Sequence, residues 1–243
     1  MNDPRMLHLA FVDVIDEPWF IVIDIVGTAA FALSGITIAR AERYSLVGAL
    51  VLAFLPALGG GLVVDLIVGH RPVTILGNPL YMYAILVTVG AAYLFLAAID
   101  RLKGRSLIFF DAVRWYVALS HRLRPTDLLV VFDAIGLTAF TVAGVLIAIQ
   151  FNSQPLWLWG PIYAAINAAG GIIVRDMLRA DASNPVLKGM FYAEVSLLWG
   201  LALVVFLTRA DLVYVPHGVV ATLAGAFVTR LVVHRLGLRA PMF

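Results

Sequence analysis

The sequence predicts an all-α integral membrane protein, with seven transmembrane helices arranged as two inverted three-helix repeats plus a seventh helix. Three observations predict it. Of 243 residues, 62% are hydrophobic and 13% charged, against about 25% charged in an ordinary soluble domain. Seven apolar runs reach the roughly 20 residues that span a hydrocarbon core. A block of spaced Asp, Gly and Phe residues in the first half returns in the second. No long polar stretch separates the runs, so residues 1–243 form a single polytopic domain.

The spans are expected near 19–39, 46–68, 79–99, 127–149, 156–178, 186–208 and 214–235. Trp19, Tyr81, Trp157, Trp159 and Tyr214 fall near span ends, where an aromatic belt meets the membrane interface. Residues Met1 to Pro18 carry acids, no basic cluster and no small-residue cleavage site, so a removable signal peptide is not expected. The connection from Asp100 to Thr126 is the longest. Its apolar middle, Leu107 to Leu119, is too short to span and reads either as an interfacial helix or as a loop packed on helix ends.

Orientation follows from Lys and Arg. If connections alternate between the two sides, 14 of the 17 basic residues share the side that holds the C-terminus. Arg40, Arg43, the six between Arg101 and Arg124, Arg175, Arg179, Lys188, Arg230, Arg235 and Arg239 make up that group. Only Arg5, Arg71 and Arg209 fall opposite. The positive-inside rule then puts the N-terminus outside and the C-terminus in the cytoplasm. Basic residues beside apolar runs suit anionic lipid headgroups, although topology alone would also place them there, and they do not suggest nucleic acid. With no cysteine there is no disulfide, thiolate metal site or thiol nucleophile.

The repeat is readable by position. Asp24, Gly27, Phe31 and Gly35 recur as Asp133, Gly136, Phe140 and Gly144, each at an offset of 109. Gly59-Gly60-Gly61 and Asp65 recur as Gly170-Gly171 and Asp176 at an offset of 111, and Pro72-Val73 as Pro185-Val186 at 113. Repeat one covers 19–99, repeat two covers 127–208, and 214–235 is the extra span. An odd number of spans per repeat inverts the second copy. Transporter folds of that kind hold their sites near the midplane on interrupted helices.

Glycines cost a helix roughly 1 kcal/mol each relative to alanine, and spans two and five are expected to break there. A Gly-rich stretch also serves close helix packing. Inversion predicts that Asp24 and Asp65 meet at the outer end, and Asp133 and Asp176 at the inner end with Arg175. Such acids either mark an ion route or cap helix ends. Ser34, Thr28, Thr138 and Thr141 on spans one and four can line the same path or serve packing. Glu194, early in span six, suits a pair with Lys188 or a hydrogen bond beside Tyr192.

The doubled Asp-x-x-Gly-(x)3-Phe-(x)3-Gly and Gly-Gly…Asp blocks resemble the prokaryotic TRIC-type (trimeric intracellular cation) channels, whose domain is also described as a glycine transporter. The likeness covers nearly the whole chain. It implies a homotrimer with one pore in each protomer, lined by the second and fifth helices, and permeability to monovalent cations, chiefly potassium. Each repeat of such proteins commonly reads Gly-Gly-Gly-x-x-Arg-Asp. This chain has Val64 in place of the first Arg and Ile172 in place of the second copy's third Gly. The outer mouth is therefore expected to be more acidic than the inner.

The expected ion pathway comprises Gly59, Gly60, Gly61, Asp65, Gly170, Gly171, Arg175, Asp176, Asp24, Asp133, Ser34 and Thr138, with no cofactor and potassium only in transit. The alternative is a carrier for a small zwitterion such as glycine. An enzyme is disfavoured: there is no His-Glu-x-x-His, no Gly-x-Ser-x-Gly and no cysteine, and His8, His70, His121, His217 and His234 are scattered at span ends and connections.

Overall fold

The computed structural model describes residues 4–102, 125–179 and 191–239. A short helix α1 (Pro4–Ala10) and a 3-10 turn (Val14–Asp16) precede the first long helix, α2 (Pro18–Ala41). There follow α3 (Leu46–Val68), a single turn α4 (Thr74–Gly77) and α5 (Leu80–Leu102). The second half contains α6 (Pro125–Gln150), α7 (Leu156–Leu178), α8 (Ala193–Arg209) and α9 (Val215–Leu236). Six of these helices are long and apolar enough to cross a membrane: α2, α3, α5, α6, α7 and α9. Helix α8 has 17 residues, and the start of the span expected over 186–208 lies outside the described residues. So does the 107–119 segment.

Local sequence explains the ends. Pro18 starts α2, where a missing N–H costs nothing. Ser45 caps α3 by accepting the Gly48 amide at 3.2 Å. Gly69 and Gly237 end α3 and α9 at positive φ (72° and 61°), which glycine adopts without strain.

Helices α2, α3, α6 and α7 form the centre, with α8 packed on α7, α9 on α6 and α8, and α5 on α2. Their packing is reciprocal about the inverted repeat. A Cβ on Gly136 would lie 2.3 Å from the Phe31 ring, and one on Gly27 would lie 3.0 Å from the Phe140 ring. The two rings meet edge to face, with centroids 5.1 Å apart. Likewise Gly35 abuts the backbone of Leu52 and Ala53, and Gly144 abuts Tyr163 and Ala164.

The same exchange occurs where α3 crosses α7. Gly59 lies against Gly171 and Gly170 against Gly60, while Gly60 meets the Asn167 carbonyl and Gly171 the Pro56 carbonyl. Both helices continue unbroken through these glycines, so the expected interruption gives way to contact. Removing the side chains lets two backbones approach, and van der Waals packing there offsets the helical penalty. Gly27, Gly136, Phe31, Phe140 and the α3–α7 glycines are thus the surface through which one repeat grips the other, while Gly35 and Gly144 seat the neighbouring helix within each repeat.

Candidate functional site

Two polar clusters lie toward opposite ends of this four-helix centre. The first surrounds a cavity of about 50 Å³, enough for a water or an ion. Asp24 and Thr28, one turn apart on α2, line it with Gly61 and Asp65 of α3, Thr74, Tyr81 of α5 and Asn167 of α7. Tyr81 hydrogen-bonds Asp24 through its side chain. Asp65 holds the chain beyond α3: its carboxylate accepts the Thr74 amide at 2.7 Å and the Thr74 hydroxyl at 3.1 Å, with His70 Nδ1 at 3.4 Å. Asn167 donates to the Phe140 carbonyl at 3.2 Å, and its Oδ1 lies 3.6 Å from where a Gly61 Cβ would stand. Thr28 is 1% exposed, and its hydroxyl has no hydrogen-bond partner.

The second cluster is built on Arg175, itself only 2% exposed. Its Nε donates to Asp176 Oδ1 at 2.9 Å, its Nη1 donates to Ser34 Oγ at 2.8 Å, and Nη1 lies 3.7 Å from Asp133 Oδ1. Asp176 Oδ1 also accepts from Arg179 Nη1 at 3.2 Å, and Arg179 pairs in turn with Glu42. Tyr192 donates to the Asp133 carbonyl at 3.3 Å, and the Arg230 guanidinium sits 4.6 Å over the Tyr192 ring. Carboxylates and a guanidinium buried together offset part of each other's desolvation penalty, whereas either left alone would be more costly still. Helices α2, α6, α7 and α9 converge on this knot.

The structure therefore brings together Asp24 with Asp65, and Asp133 with Arg175 and Asp176, as inversion predicts. Ser34 joins the second group. Gly61 borders the cavity, whereas Gly59, Gly60, Gly170 and Gly171 serve the helix crossing. Thr138 joins neither cluster: its hydroxyl turns back to the Ile135 carbonyl at 3.0 Å. Thr141 bonds Leu137 and Ser196. Glu194 accepts the Tyr192 amide at 3.0 Å, and Lys188 lies outside the described residues.

Some residues differ from expectation. Tyr81 is 5% exposed and faces Asp24 rather than joining an aromatic belt, unlike Trp157 at 63%. Arg230 is buried at 4% and donates to the Phe191 carbonyl, so it does not reach a headgroup. Asn167 and His70 were not anticipated. Tyr81 and Tyr192 carry a readable signal, because they too stand 111 positions apart.

Fold and clusters define a multi-pass helical membrane protein, built as an inverted repeat with a charged group toward each end. The chain belongs to the glycine transporter family, whose model matches residues 21–97 and 130–209, one match for each repeat. It is 30% identical to a UPF0126 membrane protein of Vibrio cholerae over 92% of this chain and 80% of that protein. It is also 31% identical to the UPF0126 inner membrane protein YadS of Escherichia coli, over 74% of each. Among solved structures it is similar to one described under conductance through TRIC cation channels. That match has a TM-score of 0.67 and 26% identity, covering 91% of this chain and 96% of the other. The TRIC trimeric intracellular cation channel orthologue from Rhodobacter sphaeroides shares the fold, with a TM-score of 0.69 at 24% identity over 91% and 100%. The family is thus described as a transporter and the solved neighbours as cation channels.

Proposed function

We propose that this protein is a passive cation channel, permeable to potassium, with a pore in each protomer of a homotrimer. The observation that carries this reading is one helix pair, α3 and α7, with acids gathered toward both of its ends. A cavity bordered by Asp24, Asp65, Thr74 and Asn167 among apolar side chains stands at one end and a buried guanidinium at the other. Acids at a mouth concentrate cations, and a cationic plug excludes them. The path runs from Asp24 and Asp65, past Gly61 and Asn167, toward Ser34 and Asp133, where the Arg175 pairs hold it shut. Basic-residue counts put the Asp24 end outside and the Arg175 end in the cytoplasm, with anionic lipid headgroups beside the latter.

The test is the reversal potential of purified protein in a planar bilayer under a potassium chloride gradient. A cation-selective potential that weakens in Asp24→Asn supports the channel. No current at any voltage refutes it. Native mass spectrometry from lipid nanodiscs checks the trimer.

The family's name favours a second reading, a carrier for a small zwitterion such as glycine. In this structure Arg175, the natural partner for a substrate carboxylate, is already engaged by Asp176 and Ser34. Saturable glycine uptake competed by unlabelled glycine would establish the carrier in place of the channel.

A further inference from the structure

We propose that the cavity bounded by Asp24, Thr28, Asp65 and Asn167 is a built binding site for one monovalent cation, placed where the second repeat supplies its own guanidinium. The proposal rests on the ion-path reading and deepens it by naming where a cation is held.

The internal symmetry gives the first reason. Asp24 corresponds to Asp133, Asp65 to Asp176 and Tyr81 to Tyr192, at the offsets of 109, 111 and 111. In the second cluster the two acids share a fixed positive charge, Arg175, with its Nε 2.9 Å from Asp176 and its Nη1 3.7 Å from Asp133. The corresponding position in the first cluster is Val64, buried and apolar. Two carboxylates thus face one small cavity with only His70, 3.4 Å from Asp65, as a basic neighbour among the described residues that line or touch it. Like charges sharing a confined, poorly hydrated space repel one another, and one cation between them relieves both.

Thr28 gives the second, independent reason. Five threonines on these helices (Thr37, Thr88, Thr141, Thr208 and Thr222) hand their hydroxyl proton to the carbonyl four residues back. Thr28, on the same type of helix, does not. Thr28 is among the residues bordering the cavity, is itself 1% exposed, and its hydroxyl oxygen is buried without a partner. A buried polar group left so is costly unless something meets it. Carboxylate, hydroxyl and amide oxygens together suit a hard cation. The volume of about 50 Å³ admits such an ion with little of its water, and the potassium path on which the proposal rests points to a monovalent one.

The test measures binding apart from conduction. Purified protein in lipid nanodiscs is unfolded thermally in potassium, sodium, calcium or N-methylglucamine chloride at equal ionic strength, alongside Thr28→Val and Asp24→Asn. A ligand of the folded state raises the midpoint saturably. The expected result is such a rise with potassium or sodium, lost in Asp24→Asn and at least halved in Thr28→Val, whose near-identical shape preserves the packing. An equal rise in both variants, no alkali-cation effect, or an effect of calcium alone overturns the site. Bilayer recording of the same preparations separates the two readings. Conductance without the cation-dependent shift sinks the site and leaves the channel, whereas the shift without conductance leaves the site and sinks the channel.

Discussion

Arg175 in α7 donates from Nη1 to the hydroxyl of Ser34 in α2 at 2.8 Å, joining residues 141 positions apart and belonging to different repeats. The bond ties the two copies together at the end where the proposed path is closed. A neutral hydroxyl is the weakest member of the knot, because Arg175 keeps its carboxylate partners without it. Ser34→Ala is therefore expected to leave the fold intact and to raise open probability severalfold, with the reversal potential unchanged. Single-channel recording checks it, and an unchanged open probability would detach this bond from gating.

Removing the charge is a different experiment. Arg175→Gln leaves Asp133 and Asp176 buried with one fewer cation, and losing one partner of a buried pair costs roughly 3–5 kcal/mol. The expected outcome is a large fall in thermal midpoint in detergent. Asp133→Asn in the same background should recover part of it, since it removes a stranded charge. Failure of that double variant to recover any stability would mean that the pair does not couple.

The glycines separate by what they touch. Gly60→Ala drives a Cβ to 2.0 Å from the Asn167 carbonyl, a backbone atom that cannot swing aside, and should prevent folding. Gly61→Ala meets only Asn167 Oδ1 at 3.6 Å and should fold normally, while narrowing the cavity and lowering unitary conductance. Size-exclusion profiles and bilayer currents of the pair decide this. Equal behaviour of the two variants would contradict the packing described.

Gly136→Ala forces a Cβ against the Phe31 ring at 2.3 Å, an overpacking expected to cost about 1–3 kcal/mol. Gly90→Ala in α5 meets nothing within 4 Å and should stabilise by up to about 1 kcal/mol. Unfolding midpoints of the two variants should move in opposite directions.

Asp65 spends both carboxylate oxygens on Thr74. Thr74→Val removes one of those bonds and keeps the backbone one, so the α4 turn should persist while Asp65 gains freedom. A shift in cation selectivity without loss of folded protein is expected, read from reversal potentials in mixed potassium and sodium.

Much of this molecule was legible in the chain because its constraints are one-dimensional. Apolar run length marks the spans, since a bilayer of fixed thickness demands it. The 109 and 111 offsets revealed the repeat, and its inversion placed Asp24 with Asp65 and Asp133 with Asp176. Those are statements about order along the chain. They need no knowledge of which faces touch.

What a residue faces is another matter, and only the tertiary structure decided it. Chain order predicts that the glycines break helices, yet they serve as the floor on which another backbone lies, because the residues that Gly59 and Gly60 meet, Gly171 and Gly170, also lack side chains. The position of Tyr81 at a span end points to the membrane interface, and α5 packing against α2 turns it onto Asp24 instead. Arg230 falls on the basic side of the chain's topology yet lies buried over Tyr192. Thr138 shares a helix with Asp133 but points back to its own backbone. A helix that is apolar nearly all round gives no pattern from which its inward face can be read. The sequence determined that two copies cross the bilayer in opposite senses and bring acids to both ends. The packing of the four central helices determined that one acid pair closes on an arginine, while the other surrounds a cavity.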